Sequence, residues 1–278
     1  MTTFLPEQVE TLRQLWQVWR DTPFVLIGAN ALALQVDLQW RQTNDLDFVL
    51  SIPLDAYPAG LATLPGWERR RVGEHAWRSP TGVNVDVVPA GPALLSAGSL
   101  TWPESGFRMN LVGLRLAFDH NLRVAIDDRH SVRVATTPTI VVLKMVAFLD
   151  RPAEREDDLG DIAQVLERSL GPTDDRRWEF PADFDNASAY ALGADVGSVI
   201  NGKEREIVDT FLARAKDEDD RFQTQALLIR NGPWHWREHP EVVSDRLSAF
   251  ETGLGGSKWP TGERPPSGGR LSPPDIQR

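Results

Sequence analysis

The stretch that decides the fold is Val25-Leu-Ile-Gly28-Ala29-Asn30-Ala-Leu-Ala-Leu-Gln35, followed after a short link by Arg41-Gln-Thr-Asn-Asp45-Leu-Asp47-Phe-Val-Leu50. An apolar strand, expected over Phe24–Gly28, ends on glycine and turns into a short helix, expected over Ala31–Leu38. A second strand, expected over Asp45–Leu50, opens on two carboxylates. Side chains at i and i+2 of a strand share a face, so Asp45 and Asp47 project together while Leu46 and Phe48 enter the core. Two carboxylates held this close repel unless something offsets them, commonly a divalent cation. An Asp pair can also cap or solvate a strand start, and the turn before it is what gives this pair meaning. Gly28 permits close backbone approach, and amides that open the next helix can cradle a phosphate. Metal-binding carboxylates beside a phosphate-binding turn describe a nucleotide site.

Further along, Val83-Asn-Val-Asp86-Val-Val88 reads as a strand that places Asp86 among valines. A charge in a central strand is costly unless it is paired or bound to metal. Beside the first two strands, Asp86 becomes a third metal ligand or the base for an attacking hydroxyl; on an edge strand it would simply face water. Lysine is rare here, with Lys144, Lys203, Lys216 and Lys258 set against 26 arginines. Lys144 stands alone in the first 202 residues, inside the apolar helix Ile140–Leu149. A compact ammonium there suits a phosphate or a buried carboxylate. The next helix, expected over Glu156–Leu170, supplies Asp157, Asp158 and Asp161 around a stripe of Leu159, Ile162, Val165 and Leu166. Asp158 or Asp161 could position Lys144 or a substrate hydroxyl.

Gly28-Ala29, Arg41-x-Thr43-x-Asp45-x-Asp47, Asp86, Lys144 and Arg155-x-x-Asp158-x-x-Asp161 occur in the order found in AbiEii-type nucleotidyltransferases, which the sequence resembles over about residues 20–170. That family belongs to the DNA polymerase beta-like superfamily and includes the MenT toxins. The resemblance implies an α/β (α+β) fold with a mixed sheet, and the change from mixed to helical pattern near residue 138 bounds a catalytic core over residues 1–137 and a helical region over 138–251 that completes the site. It implies an enzyme that moves a nucleoside monophosphate from an NTP to an acceptor hydroxyl with two Mg²⁺ ions and releases pyrophosphate. Such enzymes act in toxin–antitoxin or phage-defence pairs, several of them on tRNA, so tRNA or another RNA and a cognate antitoxin are the implied partners.

Carried across, Asp45, Asp47 and Asp86 are the metal ligands and Lys144 binds the triphosphate. Asp158 is the acid of the last motif, with Asp161 as its substitute. Gly28, Ala29 and Asn30 form the nucleotide turn, and Arg41 clamps a phosphate or makes a salt bridge at the strand start. One departure stands out: the superfamily usually has Gly-Ser or Gly-Gly at the turn, and Ala29 removes that hydroxyl, with Asn30 as a partial replacement. Two other functions remain open: transfer to a small hydroxylated molecule, as in aminoglycoside nucleotidyltransferases, or nucleotide or partner binding without catalysis.

Composition bounds the rest. Among 278 residues, 41% are hydrophobic, enough for a sizeable core, and cysteine is absent, which removes disulfides, thiolate nucleophiles and cysteine zinc sites. The N-terminus lacks a signal-peptide pattern and no apolar run approaches the roughly 20 residues of a membrane span, so a cytoplasmic location is expected. The net charge of −10 argues against bulk coating of nucleic acid, but the charge is uneven. Residues 1–150 carry 13 basic and 15 acidic groups, residues 151–220 carry 9 and 19, and residues 221–278 carry 8 and 6. The acidic excess therefore lies in the helical half and leaves RNA open to the catalytic half.

Further helices are expected at Glu7–Arg20, 203–216, 218–230 and 240–250, and strands at Arg123–Ile126 and Ser131–Ala135. Residues 252–278, rich in Gly, Pro and Ser, read as a disordered tail. Arg69-Arg70-Arg71 is either a solvated loop or a contact for an RNA backbone. His235 and His239 have helical zinc spacing but no third ligand, and read as surface residues; Trp234 and Trp236 beside them read as packing.

Overall fold

Proline at the first helical position starts α1 (Pro6–Trp19), and the Gln8 side chain closes it by accepting the Leu5 N–H at 2.9 Å. Its buried face, Leu12, Leu15 and Trp19, lies against a sheet. The structure, a computed structural model, describes residues 4–37, 43–57, 59–171, 173–178 and 184–256. Within them the strands are β1 (Phe24–Ile27), β2 (Leu46–Leu50), β3 (Glu68–Arg69), β4 (Ala76–Arg78), β5 (Asn84–Pro89), β6 (Ser99–Thr101), β7 (Arg108–Asn110), β8 (Asn121–Ala125) and β9 (Ser131–Ala135). Seven of these form one mixed sheet in the order β3-β4-β5-β2-β1-β9-β8, and β6 and β7 form a separate hairpin. β2 runs parallel to β5 and β1 parallel to β9, while β1 and β2 are antiparallel. Val25, Leu26, Phe48, Val49, Val85 and Val87 are buried at the centre, each contributing about 1.5–3 kcal/mol of burial.

Helices cover and extend this sheet: α2 (Gly28–Ala33), α3 (Ala59–Ala62), α4 (Pro92–Ala97), α5 (Leu114–Asp119), α6 (Thr137–Asp150), α7 (Glu156–Arg168), α8 (Ala187–Val199), α9 (Gly202–Lys216), α10 (Thr224–Asn231), α11 (His235–Glu238) and α12 (Glu241–Gly255). α6 follows β9 directly, begins with Pro138 in its first turn, and packs on both α2 and α7. It is apolar on nearly every side, as a helix between a sheet and a helical layer must be. Sheet and helices share one continuous core, from Leu12 through Phe48 and Phe148 to Phe250. No helix among the described residues is long and apolar enough to cross a membrane.

Three expectations need revision. The helix after β1 begins at Gly28 itself and ends at Ala33, because the positive φ of 75° at Gly28 makes the turn from strand into helix within that one residue. Residues 217–223 are not helical. Asp217 accepts the Asp219 N–H within the loop, and Asp220 accepts the N–H of Thr224 at the start of α10, so these acids bond to local backbone instead of extending the helix. Helix α8 was not anticipated. Its small residues, Gly193 and Gly197 among them, hide the amphipathic signal because they exist for close packing on α12. The helix α12 itself runs on to Gly255, past the expected start of the tail at residue 252; residues 257–278 lie outside the described residues.

That contact is intimate. A Cβ on Gly193 would stand 2.0 Å from the Phe250 carbonyl oxygen, and one on Gly253 would stand 2.1 Å from that of Tyr190. Gly193→Ala is therefore expected to lower stability by about 2 kcal/mol or more through overpacking, although alanine is the better helix former by about 1 kcal/mol. Urea denaturation measures the balance, and an unchanged midpoint would refute the packing argument.

Candidate active site

The site grows from the register of three strands. Ile27, the last residue of β1, pairs with Asp47, and Asp47 pairs with Asp86 on the other side of β2. The two carboxylates thus project from neighbouring strands spaced roughly 4.8 Å apart. Burial along β5 alternates, with Val85 and Val87 inward and Asn84, Asp86 and Val88 on the half-exposed face. Asn84 donates its amide to Asp45 Oδ1 at 2.9 Å, fixing that carboxylate beside the pair. Asp47 lies directly across the turn: a Cβ on Gly28 would be 2.1 Å from Asp47 Oδ2. Only glycine fits there, by volume as well as by φ. Gly28→Ala is expected to displace the Asp47 carboxylate and reduce nucleotide transfer by about a hundredfold, as misplacement of a reacting group by an ångström does; a retained circular dichroism spectrum would show that the loss is local.

Electrostatics mark the same residues. Burial, then the charge of Asp86, pushes the Asp47 carboxyl up to about 7, against the opposing pull of Lys144 and Arg155. Asp86 is raised too, mainly by burial, with His75 and Arg70 acting the other way. Asp86 Oδ1 is buried without a hydrogen-bond partner among the described residues, its ion-pair contact being Arg70 Nη1 at 3.9 Å. His75 Nε2 stands 3.9 Å from Asp86 Oδ2.

Lys144, from the middle of α6, meets Asp158 Oδ1 at 2.6 Å and Asp161 Oδ2 at 2.7 Å, both from α7. Burial alone would lower the lysine, yet the two acids hold it above its ordinary value. Asp158 and Asp161 therefore serve Lys144 jointly, where the sequence left a choice between them. Arg155 joins from outside, 3.5 Å from Asp158 Oδ2.

Gly28, Ala29, Asp45, Asp47, Asp86, Lys144 and Asp158 all line one cleft of about 470 Å³, to which Met109, Val112, Leu143 and Val146 add apolar surface. Asn30 sits under its edge, 6% exposed, and donates to the Thr43 carbonyl at 3.2 Å, tying the helix to the strand start. Asn30 is thus spent on the backbone. Arg41 lies outside the described residues. Residues that the sequence did not single out are His75, Asn110, Arg151 and Glu154. Only a chain fold that brings the β3–β4 turn, β7 and the segment after α6 into one cleft reveals them.

Among the described residues, no three His, Asp or Glu side chains are gathered so as to hold a metal ion by themselves. Magnesium does not ask for such a cage: it is commonly held by one or two carboxylates plus substrate phosphates. The unpartnered Asp86 oxygen and the strained Asp47 carboxyl fit that donor set. The histidines near the C-terminus do not form a second site, since His235 faces Glu167 at 3.5 Å and His239 faces Glu241 at 3.3 Å.

The chain is a transferase of the nucleotidyltransferase class. Residues 10–233 match the family described as nucleotidyl transferase AbiEii toxin, type IV toxin–antitoxin system. The chain belongs to that family, which implies a nucleotide substrate and a cognate antitoxin. Among solved structures, the chain is similar to an antigenic nucleotidyltransferase-like protein from Paracoccidioides brasiliensis, at 15% identity and a TM-score of 0.40, covering 87% of this chain and 92% of that one. It is also similar to JHP933 from Helicobacter pylori, at 12% identity and a TM-score of 0.36, covering 90% and 93%. No curated protein matches.

Proposed function

We propose that the protein transfers a nucleoside monophosphate from an NTP to a hydroxyl of RNA, tRNA foremost, with magnesium as its metal, and that this transfer is the toxic activity its antitoxin restrains. The observation that carries the reading is the registered pair Asp47 and Asp86 beneath the Gly28 turn. Asp47 and Asp86 would hold the magnesium, with Asp45 kept in reach by Asn84. When bound, the metal supplies charge neutralisation at the phosphates and activation of the acceptor hydroxyl. The Gly28 turn admits the triphosphate close to the backbone. As the acceptor oxygen bonds to the α-phosphorus, its proton passes to Asp86 and the bond to pyrophosphate breaks. Lys144, anchored by Asp158 and Asp161, offsets the developing charge from behind Asp47.

RNA is preferred over an aminoglycoside-like acceptor because Arg70 stands 3.9 Å from Asp86 and Arg151 and Arg155 line the same cleft, offering cations to an acceptor that carries phosphates. The test incubates purified protein with Mg²⁺, each labelled NTP, and either total tRNA or a panel of small hydroxylated molecules. Label is expected on tRNA and is expected to vanish with Asp47→Ala or a chelator. Label confined to the panel would replace the RNA reading, and no transfer to any acceptor would sink both.

A further inference from the structure

We infer that Arg70 and Arg151 form a seat for one phosphate of the acceptor, the one neighbouring the attacked hydroxyl. The inference rests on the RNA reading above and names the residues that would distinguish an acceptor with a backbone phosphate from one without. Arg70 follows β3 and reaches Asp86 only at 3.9 Å, beyond hydrogen-bond range. Arg151 follows α6 and lines the cleft. Its guanidinium lies 4.8 Å from the centre of the Phe107 ring, its Nη1 donates to Glu154 at 3.0 Å, and its Nε is buried with no hydrogen-bond partner among the described residues. Arg70 stands 3.9 Å from Asp86, and Arg151 lines the same cleft as Asp86 and His75, so both flank the carboxylate toward which a hydroxyl would be drawn. A guanidinium offers five donors in a planar fork suited to phosphate oxygens, and neither arginine is saturated.

The seat is rigid where it needs to be. The turn between β3 and β4 carries Arg70 and His75 and is stapled to the β6–β7 hairpin. Arg69 pairs with Glu104 at 2.7 Å, and the buried Glu74 carboxylate accepts the backbone N–H of Glu104 and of Ser105 together with the Ser105 hydroxyl. Behind it, Trp102 lies 5.8 Å from the His75 ring, centre to centre. Glu74 belongs to the seat as a positioning residue. Opposing acids are present as well: Glu154 on Arg151 and Asp158 on Arg155 limit the surplus charge and favour a single phosphate over a whole backbone.

The test measures binding of a 5′-labelled RNA oligonucleotide with a free 3′-hydroxyl to the full chain by fluorescence anisotropy, with Mg²⁺ and a non-hydrolysable NTP analogue. Arg70→Gln and Arg151→Gln are each expected to weaken binding about tenfold and to flatten the plot of log K against log salt by about 0.7. Arg71→Gln, at an exposed neighbour, is expected to change affinity by less than about twofold, as are all three in NTP binding. Replacing the last phosphodiester by an uncharged methylphosphonate should cost the unaltered protein about tenfold and the Arg70→Gln and Arg151→Gln proteins almost nothing. A methylphosphonate penalty undiminished in those variants, or RNA affinity equal to that of the unaltered chain, overturns the seat while leaving RNA as the acceptor. Failure of the unaltered chain to bind or extend any RNA overturns both. Melting curves matching the unaltered chain exclude a folding defect.

Discussion

Protein carrying Asp47→Asn is expected to melt higher than the unaltered chain at pH 8 in the absence of metal, and to lose about a thousandfold or more in nucleotide transfer. The two effects share one origin. Asp47 takes up a proton near 7 in the folded protein, against 3.8 in an ordinary environment, because burial and Asp86 disfavour its charge. The folded state therefore binds more protons than the unfolded one between pH 4 and 7, and stability falls as pH rises through that window. At 1.36 kcal/mol per pH unit the full cost is on the order of 4 kcal/mol at pH 8. Asparagine removes it; a bound divalent cation offsets it. Calorimetry from pH 5 to pH 8 should show the variant's advantage growing with pH, and Mg²⁺ should raise the melting temperature of the unaltered chain more at pH 8 than at pH 5.5. An advantage of equal size at both ends would refute the electrostatic explanation.

Lys144→Met is expected to be the most destabilising single change in the site, by about 3–5 kcal/mol at neutral pH. Methionine matches the volume, yet it strands Asp158 and Asp161, the latter fully buried, without their shared cation. In the unaltered protein the lysine's raised value keeps the triad charged at neutral pH, and its contribution is lost only as pH rises through a value above 10.5. In the variant the order reverses: acidification favours the neutral carboxyl form over a buried charge without its cation and should recover part of the loss. Lys144→Met combined with Asp158→Asn and Asp161→Asn should refold to near the original stability and remain inactive. Chemical denaturation of the single and triple variants checks this; equal stability of the single variant and the unaltered chain would show that the triad is solvated.

Most of the central strands could be read in the sequence because their signal is local. Val85, Asp86 and Val87 alternate in the way β5 needs, and the apolar run of α6 with Pro138 at its start leaves little choice. The Asp45–Asp47 pair and Lys144 were legible for a different reason: each violates its surroundings, and charge inside an apolar segment requires an account. Joint use of Asp158 and Asp161 was not legible, since i and i+3 spacing places both near Lys144 but does not say whether one or two reach it. His75 and Arg151 were hidden completely. Neither breaks a local pattern, and each becomes a site residue only through long-range pairing, Ala76 opposite Asp86 in one case and the end of α6 over Phe107 in the other. Helix α8 was missed because its glycines and alanines are chosen for backbone contact with α12, which carries no hydrophobic periodicity.

The Lys144 triad also makes the chain its own chemical sensor. Acylating reagents attack neutral, accessible amines, and Lys203 and Lys216 lie on the surface, whereas Lys144 is 6% exposed and held protonated between two acids. Surface amines should label within minutes while Lys144 stays untouched until α6 and α7 part. The labelling rate at that one position, read by mass spectrometry, would then report how often the two helices separate. It would do so from the wall of the candidate site, with no probe installed and no residue changed.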